Sequence, residues 1–310
     1  MYNLTDLVKQ FNFLSLEKGS TAEFLVNTSH YVFHMAPDSY QPGNIIYSDK
    51  HSLKTTDGVT TAIIAGYPSE PGYVDAYGEN AGFEFITGFI GITAKILIAA
   101  DHNNHCLRRI QRDTRLTTTF SGVSGSSGYQ DGTPAKFYYP RSITRDNQNS
   151  SQLLVTDEYN SAIRTVAVSD GSVGTLIKSD ALWRSWSLTQ NTAGDIFVTT
   201  NSVVYRISYT EKTITLIAGS PVTLRYRDSS LLNSLFYFPR ELTFIQTNKL
   251  LIADEDNHKL RILDLDKDKV TTLNLCNGCV SLYRPYSIML TNNSLYVGLY
   301  QEILRFKCKF

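Results

Sequence analysis

Apolar and polar positions alternate through the chain in a pattern that repeats. An apolar run, a polar turn and a second alternating run occupy Leu250 to Leu265 (LLIADEDNHKLRILDL), Ile96 to Ile110 (ILIAADHNNHCLRRI) and Leu153 to Val166 (LLVTDEYNSAIRTV). Period-two alternation places one face of each strand in a core, and the short polar interruption predicts a tight hairpin. Each copy carries Asp, then Asn three residues on and Arg seven residues on: Asp101/Asn104/Arg108, Asp157/Asn160/Arg164 and Asp254/Asn257/Arg261. Asp and Asn suit such a turn because their short side chains bond nearby backbone N–H groups and tolerate left-handed geometry.

A second feature recurs between the hairpins and sets the number of units. A small residue, any residue and an aromatic, with an inner strand starting three residues later, appear at Ala22-Glu23-Phe24, Ala81-Gly82-Phe83, Ala135-Lys136-Phe137, Ala181-Leu182-Trp183 and Ser234-Leu235-Phe236. Val280-Ser281-Leu282 is a weaker sixth copy. The aromatic positions are spaced by 59, 54, 46, 53 and 46 residues, the period of four-stranded propeller blades. The expected fold is therefore all-β, a single six-bladed β-propeller domain over residues 1–310. Its blades are expected at 21–66, 81–122, 135–178, 181–219, 234–275 and 280–310, with strands a to d running from inner to outer in each. The last blade runs out of chain after its third strand, so the N-terminal segment 7–14 (LVKQFNFL) is expected to complete it as the outer strand and to hide an open edge.

The chain resembles the NHL-repeat family, named for an Asn-His-Leu signature, through Asn104-His105-Cys106-Leu107 and Asn257-His258-Lys259-Leu260. The resemblance covers nearly the whole chain and is most specific in the second, third and fifth units. It implies a six-bladed propeller. The glycine-rich loops GYVDAYGENAGF and GYQDGTPAKF, with RYRDSSLLNSLF, resemble extracellular members of that family more than intracellular ones. The resemblance also brings two rival activities. One is a propeller enzyme, a peptidyl-hydroxyglycine lyase or a hydrolase with a metal at the channel mouth; the other is RNA binding.

Composition narrows these. Lys plus Arg and Asp plus Glu both number 29, so no global charge favours nucleic acid or an anionic membrane. No apolar run is long enough to span a bilayer, and MYNLTDLVKQFNF has neither the basic start nor the apolar stretch of a signal peptide. Of the six histidines, His51, His102, His105 and His258 fall in b-to-c turns, leaving His30 and His34 near the first inner strand, too few for a three-ligand zinc site within one blade. No cofactor is expected, nor a catalytic residue. Cys276 and Cys279 form a CNGC turn suited to a small loop-closing disulfide.

The expected function is a non-enzymatic module that binds another protein through one loop face and belongs to a secreted or cell-surface protein. Arg141 and Arg240 each follow a proline at the start of an inner strand, where a guanidinium can take a carboxylate or phosphate, or else pair with Asp157, Asp254 or nearby carbonyls. The loops between blades carry Tyr73, Tyr77, Tyr129, Arg225, Tyr226 and Arg227, residue types favoured at interface hot spots. Trp183 and Trp186 are expected in the core. Among the sequons, Asn149 and Asn292 fall in a-to-b turns, so glycans there would leave the loop face open.

Overall fold

The computed structural model describes residues 21–275 and 281–307. Within them the chain forms six four-stranded antiparallel sheets, the all-β, six-bladed propeller that the repeats predict. By its contacts the chain divides into two compact units, one of residues 33–188 and one of residues 1–32 with 189–310.

In residues 33–188 the first sheet comprises β2 (Met35–Pro37), β3 (Ile45–Asp49), β4 (Ser52–Thr56) and β5 (Thr61–Ala65), following β1 (Thr21–Tyr31) in the chain. The second comprises β6 (Ile86–Thr93), β7 (Ile96–Asp101), β8 (Cys106–Gln111) and β9 (Thr117–Gly122). The third comprises β10 (Pro140–Arg145), β11 (Gln152–Asp157), β12 (Ala162–Ala167) and β13 (Val173–Lys178). The second strands are buried on both faces, which is why β7 and β11 read as continuous apolar runs. Adjacent sheets share cores: Ile98, Ala100 and Leu107 pack with Phe137, Ile143, Leu153 and Val155.

In the other unit, the fourth sheet is β14 (Leu188–Gln190), β15 (Ile196–Thr199), β16 (Val203–Ile207) and β17 (Ile214–Gly219), and the fifth is β18 (Pro239–Gln246), β19 (Lys249–Asp254), β20 (Lys259–Asp264) and β21 (Lys269–Thr272). The sixth is β22 (Ser287–Thr291), β23 (Ser294–Gly298) and β24 (Tyr300–Lys307), completed by β1 as its outer strand. An N-terminal strand does close the last blade, but it is Thr21–Tyr31; the segment 7–14 lies outside the described residues. The register pairs Ala22 with Phe306 and Phe24 with Leu304. Phe24 points outward and is 55% exposed, whereas Phe83, Phe137 and Phe236 are fully buried, so Ala22-Glu23-Phe24 is not the start of a blade. The first blade begins at β2 instead.

The Asp-x-x-Asn-x-x-x-Arg motif closes each hairpin with a buried charged latch. In the third blade Asp157 Oδ2 accepts from Arg164 Nη1 at 2.6 Å and Asn160 Nδ2 at 2.8 Å, and its Oδ1 accepts from the Tyr138 N–H at 2.7 Å. Arg164 then reaches across to a loop aspartate, Asp131, and to the Gln130 and Lys136 carbonyls. The second blade repeats this with Asp101, Asn104, Arg108 and Asp75, and the fifth with Asp254, Asn257, Arg261 and Asp228. All three guanidiniums are wholly buried, each between two aromatic rings: Tyr73 and Phe83, Tyr129 and Phe137, Tyr226 and Phe236. Burial pushes the Asp101 and Asp254 carboxyls up to about 6, against the pull of their arginines and asparagines. Removing water from such ions is costly, so the latch selects one loop conformation more than it adds net stability. Where the motif has decayed, the latch shrinks or goes: in the first blade Lys54 Nζ meets Asp49 at 2.6 Å, and in the fourth Tyr205 takes the arginine's place in the register while the neighbouring Arg206 pairs with Asp195 from a side chain 53% exposed.

Candidate aromatic site at the turns of the second and third blades

In the third blade the turn from β11 to β12 is a short 3-10 segment, Glu158–Asn160, ended by Ser161 in the left-handed region at φ 53°. Its backbone is zipped to the residues before β10: the Glu158 N–H donates to the Tyr139 carbonyl at 3.2 Å and the Tyr159 N–H to the Tyr138 carbonyl at 3.1 Å. Tyr139 itself is held at φ 59°, costly for a bulky residue, and Phe85 and Phe238 repeat that geometry at 64° and 53°. What holds it is the signature histidine of the preceding blade. His105 Nδ1 accepts the Tyr139 N–H at 3.3 Å, His51 Nδ1 accepts from Phe85 at 3.3 Å, and His258 Nδ1 accepts from Arg284 at 3.1 Å. Where the histidine is missing a carbonyl substitutes, Glu158 O for Arg184 and Asn201 O for Phe238. The histidine of the motif is thus a tie between successive blades.

Arg141, on β10, donates from Nε to Glu158 Oε2 at 2.7 Å and from Nη2 to His102 Nε2 at 3.0 Å. His102 Nε2 also lies 3.0 Å from Glu158 Oε2, and its Nδ1 lies 2.7 Å from Asn103 Oδ1. The guanidinium lies 3.7 Å from the centre of the Trp186 ring. Burial alone would raise the Glu158 carboxyl, but the charge of Arg141 and its hydrogen bonds outweigh it and hold the group at about 2. Burial and then Arg141 hold His102 below the usual imidazole range, so it is neutral. In the other unit Arg240 pairs with Glu255, whose second oxygen meets Arg284 at 2.8 Å, and Arg284 also meets Asp256 at 2.8 Å. Both predicted arginines are therefore paired, though with the glutamate one residue past the latch aspartate and not with Asp157 or Asp254. Each is only 8% exposed.

Around this core the rings come to the surface. Tyr138 stacks on Tyr139 at 5.1 Å between ring centres, both meet Tyr159, and Tyr159 meets Trp183 edge-on at 6.3 Å. The His102 and His105 rings pack on Tyr139 from behind, each at 4.7 Å. Tyr159 is 37% and Trp183 47% exposed. The expectation that Trp183 lies in the core is corrected here, because Leu182, one residue earlier, fills that position with no exposure. Arg184, at φ 56°, lays its guanidinium 4.6 Å from the Trp183 ring centre.

The other predicted residues separate into two groups. Tyr73, Tyr129 and Tyr226 stack on the latch arginines and bond their hydroxyls to Thr119, Thr175 and Thr272, so they anchor the loops while keeping two-fifths or more of their surface exposed. Tyr77, 60% exposed, and the exposed Arg225 and Arg227 remain on loop surfaces, although Arg227 Nε donates to the Asn233 carbonyl at 2.6 Å. Tyr73, Tyr77, Tyr129 and Arg141 belong to one unit, and Arg225, Tyr226, Arg227 and Arg240 to the other. Asn149 and Asn292 are exposed in the β10–β11 and β22–β23 turns, at the ends of their own sheets opposite the b-to-c turns. Cys276 and Cys279 lie outside the described residues. His34 packs edge-on against Phe89 and His30 against Tyr31 and Tyr300. Among the described residues no group of three or more His, Cys, Asp or Glu side chains is arranged to hold a metal, and no helix is long and apolar enough to cross a membrane. Tyr138, Tyr139, Tyr159 and Arg184 were not predicted; the Tyr-Tyr pair immediately before Pro140 was the one available signal.

The histidine tie makes stability depend on pH. Burial holds His105 below its ordinary value, and a protonated Nδ1 cannot accept the Tyr139 N–H. Its contribution is complete above the unfolded value of about 6.5 and is lost as pH falls through the lower folded value. The raised Asp101 and Asp254 act the other way, contributing fully below about 4 and losing that contribution as pH rises through about 6. The informative measurement is therefore a difference. Between pH 7.5 and 5, the urea midpoint of the wild type is expected to fall relative to that of His105→Gln, which keeps an acceptor without the titration; parallel curves would remove the tie's role.

No protein-family model matches the chain, and no curated protein matches its sequence. Solved structures do. An auxiliary nutrient binding protein from Bacteroides ovatus is 11% identical with a TM-score of 0.71, covering 94% of this chain and 77% of its own. A putative gluconolactonase is 14% identical, TM-score 0.65, covering 96% and 95%, and a streptogramin B lyase is 12% identical, TM-score 0.60, covering 95% and 99%. At such identities the likeness is one of fold.

Proposed function

We propose that the chain is a non-enzymatic recognition module, an NHL-type propeller that receives another protein on the b-to-c turn of its third blade and the loops flanking that blade, in a secreted or cell-surface setting. The observation that carries this is the patch of exposed Tyr159 and Trp183 beside half-buried Arg184, residues of hot-spot type on turn backbone bonded to the Tyr138, Asp180 and Glu158 carbonyls above a buried ion pair. Rigid aromatic contacts lose little side-chain entropy on binding. Among proteins of similar fold, one is named for nutrient binding, in keeping with recognition, and others are named for gluconolactonase and lyase activity. Binding is favoured over the enzyme reading because the buried carboxylate beneath the patch is held ionised near 2, with Arg141 and His102 both on its Oε2. A general acid or base needs a value near the working pH. The NHL assignment gains a physical basis from His105 and His258, whose side chains tie neighbouring blades. A secreted setting agrees with the exposed sequons at Asn149 and Asn292, the first in the turn at the other end of the third blade from Tyr159.

The test is a pull-down from secreted and surface-extracted protein, with the intact chain beside Tyr159→Ala/Trp183→Ala. The double variant is expected to retain its specific partner at least tenfold less well, while Asn149→Gln retains it fully. Equal retention by the double variant would remove the face from consideration.

A further inference from the structure

The donors of the aromatic patch differ from those of every loop anchor. Tyr73, Tyr129 and Tyr226 each bond their hydroxyl within the fold. Among the described residues the hydroxyls of Tyr138, Tyr139 and Tyr159 and the indole N–H of Trp183 have no hydrogen-bond partner, and no carboxylate pairs with the Arg184 guanidinium. Three phenols, an indole N–H and a cation are thus gathered at a surface whose own acid, Glu158, is neutralised by Arg141. The rings do not offer one flat platform. Tyr159 stands at 65° to both Tyr139 and Trp183 in edge-to-face contact, so the patch offers ring faces inclined to one another.

A ligand fitting these features packs apolar faces on inclined aromatic rings, presents carbonyl oxygens unpaired along its own length and carries a negative charge. A polyproline II segment does so: it has three residues per turn, no internal hydrogen bonds, ring-shaped apolar side chains and a backbone already ordered. We propose that the partner engages this patch through an extended proline-rich segment with an acidic side chain. Prolines pack on the exposed faces of Tyr159 and Trp183, the Tyr hydroxyls and Trp183 Nε1–H donate to segment carbonyls, and Arg184 takes the carboxylate. This inference rests on the recognition reading and names the chemistry of what is recognised.

The experiment follows Trp fluorescence of the full chain titrated with a decapeptide built on Pro-Pro-Glu-Pro-Pro, with one counterpart in which alanine replaces proline and another in which Gln replaces Glu. Trp183→Ala, an exposed substitution, is followed with a dye-labelled peptide. The proline peptide is expected to bind at least tenfold more tightly than the alanine one and to lose at least tenfold in Trp183→Ala. The Glu-to-Gln change is expected to weaken binding severalfold in the wild type and not in Arg184→Gln. Equal affinity for the proline and alanine peptides would overturn the segment assignment, and an unchanged Glu preference in Arg184→Gln would overturn the role of the cation. A panel of soluble oligosaccharides, run in parallel, separates the rival chemistry. If one of them binds in a Trp183-dependent way and the peptides do not, recognition by the patch stands and the proline-rich segment falls; if the pull-down and all probes are indifferent to Trp183, both fall together.

Discussion

A chain that begins at Val32, without β1, is expected to lose cooperative folding altogether. Strand β1 pairs with β24 from Thr21↔Lys307 to Tyr31↔Tyr300, and among the described residues that ladder alone pairs with the outer side of the last sheet's third strand. Removing it bares the edge of β24 and uncovers the flank of a core in which Leu304 is 5% exposed and Phe306 fully buried, against which Ala22 packs. It also leaves Arg305 without Glu23 and loses Leu25, itself buried. Each large apolar side chain brought back to water costs about 1.5–3 kcal/mol, and a fold stable by about 5–15 kcal/mol does not survive several such losses. An open strand edge also recruits other chains. Calorimetry should show no cooperative transition, and size-exclusion chromatography should show aggregates. A truncated protein melting at the wild-type temperature would mean that the β1–β24 ladder does not hold the last sheet.

The second large effect is expected at the centre of a latch. Arg164→Met removes a fully buried guanidinium from Asp157 and Asp131 and leaves Asp157 an uncompensated charge at a site with no exposure. Breaking a buried pair from one side typically costs about 3–5 kcal/mol. Replacing both partners, Arg164→Met with Asp157→Leu, is expected to recover only part of that, since Asn160 Nδ2 and the Tyr138 N–H would still lose their acceptor. The comparison that isolates burial is Arg206→Met in the fourth blade, whose ion pair with Asp195 is made by a side chain more than half exposed and whose expected cost is below about 1 kcal/mol. Urea denaturation of the three variants measures these differences, and similar midpoints for Arg164→Met and Arg206→Met would show that burial does not set the strength of the latch.

Both effects concern residues already prominent in the sequence, yet in each case half of the interaction was out of sight there. Arg164, Asn160 and Asp157 announce themselves because they sit within one hairpin, three and seven residues apart, where turn chemistry and alternation act locally. Asp131, 33 residues before Arg164, carries no mark of its role, because the contact exists only once the loop has folded over the blade. The signature histidines were legible as turn residues. That His105 accepts a hydrogen bond from the backbone N–H of Tyr139, 34 residues on, was not.

By itself the sequence determined what periodicity and local turn chemistry control: an all-β chain, six repeated sheets, hairpins with Asp, Asn and Arg at set positions, and buried aromatics at Phe83, Phe137 and Phe236. Tertiary structure alone decided which N-terminal strand completes the last blade, because β1 and β24 meet across 282 residues between Glu23 and Arg305 and alternation is equally content on either side of such a gap. It likewise decided that Trp183 faces solvent while Leu182 turns inward, and that Tyr138, Tyr139, Tyr159 and Trp183 share one surface. Those residues come from three turns up to 45 positions apart, and the left-handed backbone that aims Tyr139 is paid for by a histidine from another blade. A local pattern holds no record of a conformation that is unfavourable locally and stable only in its surroundings.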